Sequence, residues 1–244
     1  MSATRKSRYN RVLLKVSGES LAAPGSMGID PEALNHLAHE ILEAGKTGCN
    51  IAVVVGGGNI IRGVPLAKAH LLPQASADYM GMLGTIINGI ALKEALDELG
   101  QPARLMSAIN ITAVAEPFIR GRALRHFEKG RVIILGGGTG NPFCTTDTAA
   151  ALRAIELNCE VILKASTVDG VYTADPKTNP DAMKYDELSF EEALAKKLRI
   201  MDLTAYSMCT EHSVPILVFD YREKRNIRAA VSGEIIGTLI RDDE

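Results

Sequence analysis

Three short apolar segments of the chain each run directly into a glycine-rich turn. They are VLLKVSGES at residues 12–20, IAVVVGGGN at residues 51–59 and VIILGGGTGN at residues 132–141. Stretches with the apolar spacing of helices lie between and after them, and strands that alternate with helices form a mostly parallel sheet covered on both faces. The sequence therefore predicts an α/β fold, a three-layer α/β/α sandwich around a central, mostly parallel sheet.

The predicted elements follow this alternation along the chain. We predict strands at residues 12–16, 51–55, 104–106, 132–135, 161–164, 216–219 and 238–240. We predict helices at residues 31–44, within 77–99, and at 147–157, 189–197 and 202–212. The first helix has the clearest ends, because Asp30 can cap it, Pro31 suits its first turn and Gly45 follows its apolar face.

The chain of 244 residues is long enough to bury a substantial core. Hydrophobic residues make up 46% and charged residues 23%, which argues against disorder and against a coiled coil. No repeat, low-complexity tract or Pro/Ser-rich linker divides the sequence. We therefore predict a single domain over residues 1–244, in which a polar loop at 168–181 begins a second lobe of the same sheet.

Charge and cysteine content limit the classes of partner. With 27 basic and 29 acidic residues the formal net charge is −2, so no global positive field recruits nucleic acid, and a small ligand is predicted instead. The most membrane-like stretch, residues 79–92, is too short to cross a bilayer, and no membrane association is predicted. The four cysteines form no CxxC pair and no apolar signal segment opens the chain, which predicts a reducing, cytoplasmic compartment.

The three glycine turns predict a polyphosphate site. In a parallel sheet they gather at the carboxyl edge, where backbone N–H groups without a nearby Cβ can approach phosphate oxygens. One such turn is ordinarily only a turn, but three together favour a ligand. Neither common phosphate motif is present: Gly45-Lys46-Thr47 ends a helix, and Ile61 and Phe143 stand where a dinucleotide fingerprint needs its third glycine.

Two lysines lie in apolar strands beside these turns. Lys15 precedes Ser17-Gly18, and Lys164 ends the strand VILK. Lysine is rarely buried without a partner, so each is either a snorkelling edge lysine or an ammonium directed at a phosphate; we favour the second interpretation. Asp147 either caps the helix that follows or, if a neighbouring threonine is the cap, is free to hold a lysine.

Other catalytic chemistries have no candidate residues. His36 and His39 fall on a polar helix face without a third ligand nearby, and we interpret them as solvated. No Ser-His-Asp set, nucleophile elbow or reactive-cysteine context occurs, so covalent catalysis is not predicted.

A set of motifs in fixed order resembles one known family. The motifs are KVSGE at residues 15–19, GGGN at 56–59, DYMGM at 78–82, TGNPFCTTD at 139–147, VDGVYTADP at 168–176 and MDL at 201–203. They cover nearly the whole chain and are similar to the uridylate branch of the amino acid kinase family. The glycine turns are family-wide, whereas DYMGM, TGNPFCTTD and MDL are more specific to that branch.

The resemblance implies an activity and a division of the chain. It implies reversible, in-line transfer of the γ-phosphoryl group of ATP to UMP, without a covalent enzyme intermediate, in pyrimidine nucleotide biosynthesis. It further implies Mg²⁺ with ATP, a homohexamer, an acceptor-binding part at about residues 1–160 and an ATP-binding part at about residues 161–244. GTP activation and UTP inhibition are also implied, although the stretch APGSMG at residues 23–28 departs from the glycine-rich loop associated with GTP.

The resemblance also assigns site residues, with the protein ligands of the metal left unknown. The catalytic residues are Lys15, Asp147 and Lys164. The ATP-binding residues are Lys15, Val16, Ser17, Gly18, Gly58, Arg62, Ser166, Tyr172 and Asp175. The UMP-binding residues are Gly57, Asp78, Thr139, Gly140, Asn141, Pro142, Phe143, Cys144, Thr145 and Thr146. Ser166 replaces a more familiar threonine and keeps the hydroxyl.

Two alternative functions remain open from the sequence. One is a different amino acid kinase whose acceptor is a carboxylate or carbamate. The other is a nucleotide sensor that kept the fold and lost turnover; the presence of both Lys15 and Lys164 argues against it. For Asp78 we expect ribose recognition, with a helix cap as the alternative, and for the loop at 169–176 we expect closure over the donor nucleotide.

Overall fold

The structure, a computed structural model, describes residues 7–61, 72–176 and 178–242. Its strands are β1 (Arg11–Val16), β2 (Asn50–Val55), β3 (Ala103–Ser107), β4 (Glu116–Pro117), β5 (Val132–Gly136), β6 (Ile162–Ser166), β7 (Val171–Tyr172), β8 (Lys184–Tyr185), β9 (Glu187–Ser189), β10 (Ile216–Asp220) and β11 (Thr238–Arg241). Its α-helices are α1 (Pro31–Gly45), α2 (Gln74–Glu98), α3 (Arg120–Glu128), α4 (Thr146–Glu156), α5 (Phe190–Ala195), α6 (Leu203–Glu211) and α7 (Asn226–Val231).

A nine-stranded sheet runs through the centre of the described part of the chain. Its strand order is β4-β3-β5-β2-β1-β6-β10-β11-β9. Every neighbouring pair is parallel except β10 and β11. β7 and β8 form a separate antiparallel hairpin. The predicted mostly parallel α/β sheet is therefore confirmed, with β1 and β6 side by side near its middle.

Two apolar cores cover the two faces of the sheet. The alternation of side chains along β1 sends Val12, Leu14 and Val16 into the core that contains the apolar faces of α1, α2 and α7. Leu13 enters the other core, with residues of α3, α4 and α6. The period of two therefore places Lys15 on the α4 side of the sheet, and the same alternation on β6 places Lys164 on that side after Ile162.

Most predicted elements are confirmed to within a few residues. The strand predicted at 104–106 extends over Ala103–Ser107, and α1 is capped as expected by the Asp30 carboxylate, which accepts a hydrogen bond of 2.9 Å from the Ala33 amide. α2 begins at Gln74, ahead of the predicted 77, because Pro73 provides the non-helical residue before it. The elements β4, β9 and α7 are too short for an apolar period to show in the sequence, and α3 has only three apolar residues, so none of the four was predicted.

The remaining sequence features are located as follows. The polar loop at 168–181 is not wholly irregular, because β7 pairs with β8 across it. All four cysteines are free thiols, of which Cys144 alone is exposed. Among the helices of residues 7–61, 72–176 and 178–242, none combines the length and apolarity that a membrane span requires.

Candidate active site

Lys15 and Lys164 share one carboxylate at the carboxyl edge of the sheet. The two lysines are paired in register on β1 and β6. Lys15 Nζ lies 2.9 Å from Oδ1 of Asp147 as an ion pair, and Lys164 Nζ donates a hydrogen bond of 3.0 Å to Oδ2. The three side chains are 12–17% exposed. The sequence placed these residues near glycine turns, and the structure brings them together as one cluster.

The first turn of α4 explains why Asp147 is available to the lysines. Thr145 is the N-cap, and its hydroxyl accepts hydrogen bonds from the amides of Asp147 (3.0 Å) and Thr148 (3.3 Å). The Thr148 hydroxyl in turn accepts a hydrogen bond from the Thr145 amide, which completes a capping box. The cap is therefore a threonine, and the carboxylate of Asp147 points to β1 and β6 instead of to its own helix.

Burial and charge act in opposite directions on Lys164. Burial lowers the pKa of the Lys164 ammonium below its ordinary value, and the neighbouring charge of Lys15 lowers it further, while Asp147 and Asp202 raise it. Lys164 also donates a hydrogen bond to the carbonyl of Ile200. Two ammonium groups and one carboxylate leave the cluster with a net positive charge when all are ionised, which suits an anionic ligand.

A cavity of about 440 Å³ opens between α2 and the second and third glycine turns. The residues that line it are Gly57, Gly58, Ile61, Gln74, Ala77, Asp78, Gly81, Met82, Thr85, Gly138, Thr139, Asn141, Phe143, Cys144, Thr145 and Thr146. Eight of the ten residues expected at the acceptor are among them; Gly140 and Pro142 are not. We call this space the acceptor cavity.

Asp78 connects α2 to the third glycine turn. One of its carboxylate oxygens accepts a hydrogen bond of 2.7 Å from the Gln74 amide group, and the other accepts one of 2.8 Å from the backbone N–H of Phe143. Phe143 has a left-handed φ of 64° and is 77% exposed. Because α2 begins four residues before Asp78, the alternative role as a helix cap is wrong.

A second cavity, of about 640 Å³, opens next to Lys164. It is lined by Lys164, Ser166, Val168, Gly170, Val171, Tyr172, Thr173, Ala174, Asp175, Pro176, Lys197, Leu198, Arg199, Ile200 and Val218. Ser166, Tyr172 and Asp175, the residues expected at the nucleoside of ATP, are all included. We call it the donor cavity. The lining segment 197–200 carried no motif in the sequence and was missed.

The first two glycine turns pack directly on each other. A Cβ on Gly18 would lie 2.6 Å from the backbone nitrogen of Gly58, and one on Gly56 would lie 2.7 Å from that of Gly18. A Cβ on Gly57 would lie 2.6 Å from the carbonyl oxygen of Gly81 on α2. These glycines are thus required for close approach of backbones. Val16 is the last residue of β1 and Ser17 follows it at the start of the first turn, while the predicted ATP-binding residue Arg62 lies outside the described residues.

A buried amide pair fastens the second glycine turn and was not foreseen. Asn59 and Asn88 are fully buried and exchange side-chain hydrogen bonds of 3.0 and 2.7 Å. Asn59 also donates to the carbonyl of Gly28, and Asn88 to that of Gly56. Asparagine is common in turns, so Asn59 by itself does not indicate a buried contact. Nothing in the sequence shows that it pairs with an asparagine on α2.

No dedicated metal cage accompanies the cluster in the described part of the chain. Within residues 7–61, 72–176 and 178–242, no group of three or more His, Cys, Asp or Glu side chains converges on a point. His36 Nε2 lies 3.5 Å from the carbonyl of Tyr221, and His39 contacts its own helix through the carbonyl of Asn35.

Comparison with known proteins identifies the family and the fold. Residues 10–220 match the model of the amino acid kinase family. The crystal structure of a UMP kinase from Bacillus anthracis superposes with a TM-score of 0.93 at 41% identity, covering 97% of each chain. The structure of a UMP kinase from Ureaplasma parvum gives a TM-score of 0.91 at 36% identity, covering 96% of this chain and all of the other. The chain therefore belongs to the amino acid kinase family.

Proposed function

We propose that this protein is a UMP kinase, which transfers the γ-phosphoryl group of ATP to UMP and forms UDP and ADP. The observation that carries the proposal is the Lys15–Asp147–Lys164 cluster, because Lys164 also lines the donor cavity while the helix of Asp147 begins at the acceptor cavity. The choice of UMP as acceptor is supported by the two similar UMP kinases.

The acceptor cavity is proposed to hold UMP. Asp78 is a carboxylate that can accept hydrogen bonds from the vicinal hydroxyls of the ribose. The amides of Gly140, Asp147 and Thr148 donate hydrogen bonds within the protein. The donors proposed for the base and the phosphate are therefore the amide of Thr139 in the third turn and that of Thr146 at the start of α4. Gly57, which lies against α2, leaves the backbone of the second turn accessible from this cavity.

The donor cavity is proposed to hold ATP. Ser166, Tyr172 and Asp175 border the region for the nucleoside. Residues 16–18 and Gly58 are proposed to border the path of the phosphates toward Lys15; Gly58 lines the acceptor cavity, and residues 16–18 line neither cavity. Mg²⁺ is proposed to arrive with the ATP phosphates, since that ion commonly keeps several waters and binds mainly through substrate phosphates. When bound, it would neutralise part of the charge on the triphosphate.

Transfer in this site needs alignment and charge neutralisation more than proton removal. A phosphate oxygen of UMP is already anionic near neutral pH, so the attack on the γ-phosphorus requires no strong general base. The ammonium groups of Lys15 and Lys164 can stabilise the equatorial oxygens of the moving phosphoryl group. Asp147 holds both ammonium groups in place and forms no covalent bond to the substrate.

The remaining parts of the proposal extend the family resemblance. We propose a homohexamer in the cytoplasm, activated by GTP and inhibited by UTP, with acceptor binding in residues 1–160 and ATP binding in residues 161–244. Sedimentation velocity tests the oligomer directly. Initial rates with added GTP or UTP test the two effectors, and a rate unchanged by either nucleotide would contradict their assignment.

A panel of acceptors tests the proposed reaction. The protein is incubated with ATP, Mg²⁺ and one of UMP, CMP, AMP, GMP, carbamate, glutamate or aspartate, and ADP and the phosphorylated product are quantified by chromatography. We expect stoichiometric UDP and ADP with UMP. ADP formation with a carboxylate or carbamate alone would identify a different amino acid kinase. Binding of ATP and UMP without any product would identify a nucleotide sensor.

A further inference from the structure

Asp202 joins the first turns of two helices next to the cluster. Its Oδ1 accepts a hydrogen bond of 2.9 Å from the Ala205 amide and so caps α6. Its Oδ2 accepts hydrogen bonds from the hydroxyls of Thr145 and Thr148 in α4, the latter at 2.9 Å. Both carboxylate oxygens are therefore engaged, one with each helix. An ordinary helix cap needs only the first of these contacts.

The contact with Asp202 fixes the direction of the Thr145 hydroxyl. The hydroxyl oxygen already accepts from the amides of Asp147 and Thr148. An ionised carboxylate can only accept, so the hydroxyl proton of Thr145 points to Asp202. Although Thr145 lines the acceptor cavity, its hydroxyl has no proton left to donate to a ligand there. The role of the Thr145 side chain is therefore to cap the first turn of α4.

The segment that ends in Asp202 also contacts Lys164. The carbonyl of Ile200 accepts a hydrogen bond from the Lys164 ammonium. Ile200 lines the donor cavity, whereas Thr145 lines the acceptor cavity. The three residues 200–202 thus connect β6, which carries Lys164, with the first turn of α4, which carries Asp147.

We propose that Asp202 is a positioning residue for phosphoryl transfer, which holds the first turn of α4 so that the Asp147 carboxylate meets Lys164. This inference rests on the proposed function. Asp202 lines neither cavity and acts through Thr145 and Thr148 on α4. Loss of its charge and its two hydroxyl contacts should loosen the cluster without removing any of its three members.

The charge of Asp202 acts on the pKa of Lys164, which an ordinary helix cap would not do, and this effect can be measured. The charged groups that act most strongly on Lys164 are Asp147 from α4, Lys15 from β1 and Asp202. Asp175, Lys197 and Arg199 line the donor cavity with it. Burial opposes ionisation of Asp202, but hydrogen bonds led by that of Thr145 hold the pKa of its carboxyl below the ordinary value. From α6, burial raises the pKa of the Cys209 thiol to about 12, so this neighbour stays neutral. Removing the Asp202 charge therefore lowers the pKa of Lys164 further.

The experiment compares Asp202→Asn with Asp30→Asn. Asp30 caps α1 on the opposite face of the sheet and lines neither cavity, so the two variants make the same change in a helix cap. Steady-state rates of UDP formation are measured from pH 6 to 10, together with Tm. We expect Asp202→Asn to lower kcat at least tenfold, to change the KM for ATP less than threefold, and to move the alkaline fall of kcat to lower pH.

The control and a second pair of variants complete the test. Asp30→Asn should lower Tm and leave kcat and its pH profile unchanged. Thr148→Val removes one hydroxyl contact to Asp202 and should lower kcat less than Asp202→Asn does, while Thr148→Ser restores it. Asp202→Asn with a lowered Tm but an unchanged kcat and pH profile would overturn the positioning role. If Asp202→Asn does not fold, equal kcat values for Thr148→Val and Thr148→Ser would overturn it. A wild-type protein that forms no UDP would instead overturn the proposed function, and this inference with it.

Discussion

Lys15 and Lys164 are register partners on neighbouring parallel strands, and the Asp147 carboxylate binds both of their ammonium groups. Parallel strands place equivalent residues at the same height, so the two charges are fixed side by side by the backbone. Mutual repulsion would separate two such ammonium groups, and the shared carboxylate offsets it. The arrangement creates a preorganised positive centre. Lys164 lines the donor cavity and the helix of Asp147 begins at the acceptor cavity, so we expect the phosphoryl group in transfer to meet this centre.

Removal of either lysine should affect turnover more than binding. Lys15→Ala and Lys164→Ala should each lower kcat at least about a hundredfold, roughly 3 kcal/mol of transition-state stabilisation, because the charge that they neutralise redistributes during transfer. Steady-state rates and calorimetric nucleotide affinities measure the two effects. Lys46→Ala, which removes an exposed lysine paired with Glu43, should change neither kcat nor the nucleotide affinities. A loss of affinity alone in the two site variants would contradict this role.

The ammonium of Lys164 should titrate below the ordinary lysine range. Burial lowers its pKa from about 10.5, so the unfolded chain retains this proton to higher pH, and the free energy of unfolding rises with pH between the folded and unfolded pKa values. A ¹³C NMR titration, with Lys164→Arg to assign the signal, measures the pKa. Bound ATP analogue should raise it, since the phosphates stabilise the charged form. A Lys164 signal that titrates together with the exposed lysines would contradict the effect of burial.

Asp78 should act selectively on the acceptor. Asp78→Asn should raise the KM for UMP at least about tenfold and the KM for ATP much less, because the carboxylate lines the acceptor cavity and holds the Phe143 amide. The matched control is Asp97→Asn on the same helix, where the carboxylate also accepts a backbone amide, that of Ala103. Asp97→Asn should lower stability and leave both KM values unchanged. Equal increases of both KM values in Asp78→Asn would argue for a structural role.

The loop at residues 169–176 should respond to the donor alone. Its polar side chains border the donor cavity, and Asp169 is already linked to Tyr172 and Lys184 by hydrogen bonds. Amide hydrogen exchange in this loop should slow with a nonhydrolysable ATP analogue and change little with UMP, whereas residues 139–146 should show the opposite response. Protection of 169–176 by UMP alone would assign the loop to the acceptor.

Local patterns predicted seven of the nine strands of the sheet and the two lysines of the charged cluster. Apolar strands that end in glycine turns predicted the parallel edge. Lys15 in the first of them, with Lys164 at the end of the strand predicted at 161–164, predicted a positive centre there. The N-cap of α4 was left open between Asp147 and a threonine, because both residue types cap helices. In the structure the N-cap is Thr145, whose hydroxyl accepts two amide hydrogen bonds.

Long-range contacts account for what the sequence did not predict. Asn59 and Asn88 are 29 positions apart, and nothing in either segment indicates that their amides pair in the core. Asp202 lies in the motif MDL at residues 201–203, which resembles the family, but its contacts to α4 depend on how α4 and α6 pack against each other. The glycines at 18 and 56 were interpreted through phosphate approach, whereas the structure shows that the packing of two turns already requires them.

Rapid-quench measurement of a single turnover in Asp147→Asn tests the central claim most directly. The variant keeps the shape of the side chain but removes the negative charge that binds both ammonium groups. With ATP, Mg²⁺ and UMP bound at saturation, the rate of UDP formation should fall at least about a hundredfold relative to the wild-type protein, while the affinities for ATP and UMP change less than about fivefold. A wild-type rate of UDP formation in Asp147→Asn would contradict the account, as would a loss confined to the affinities.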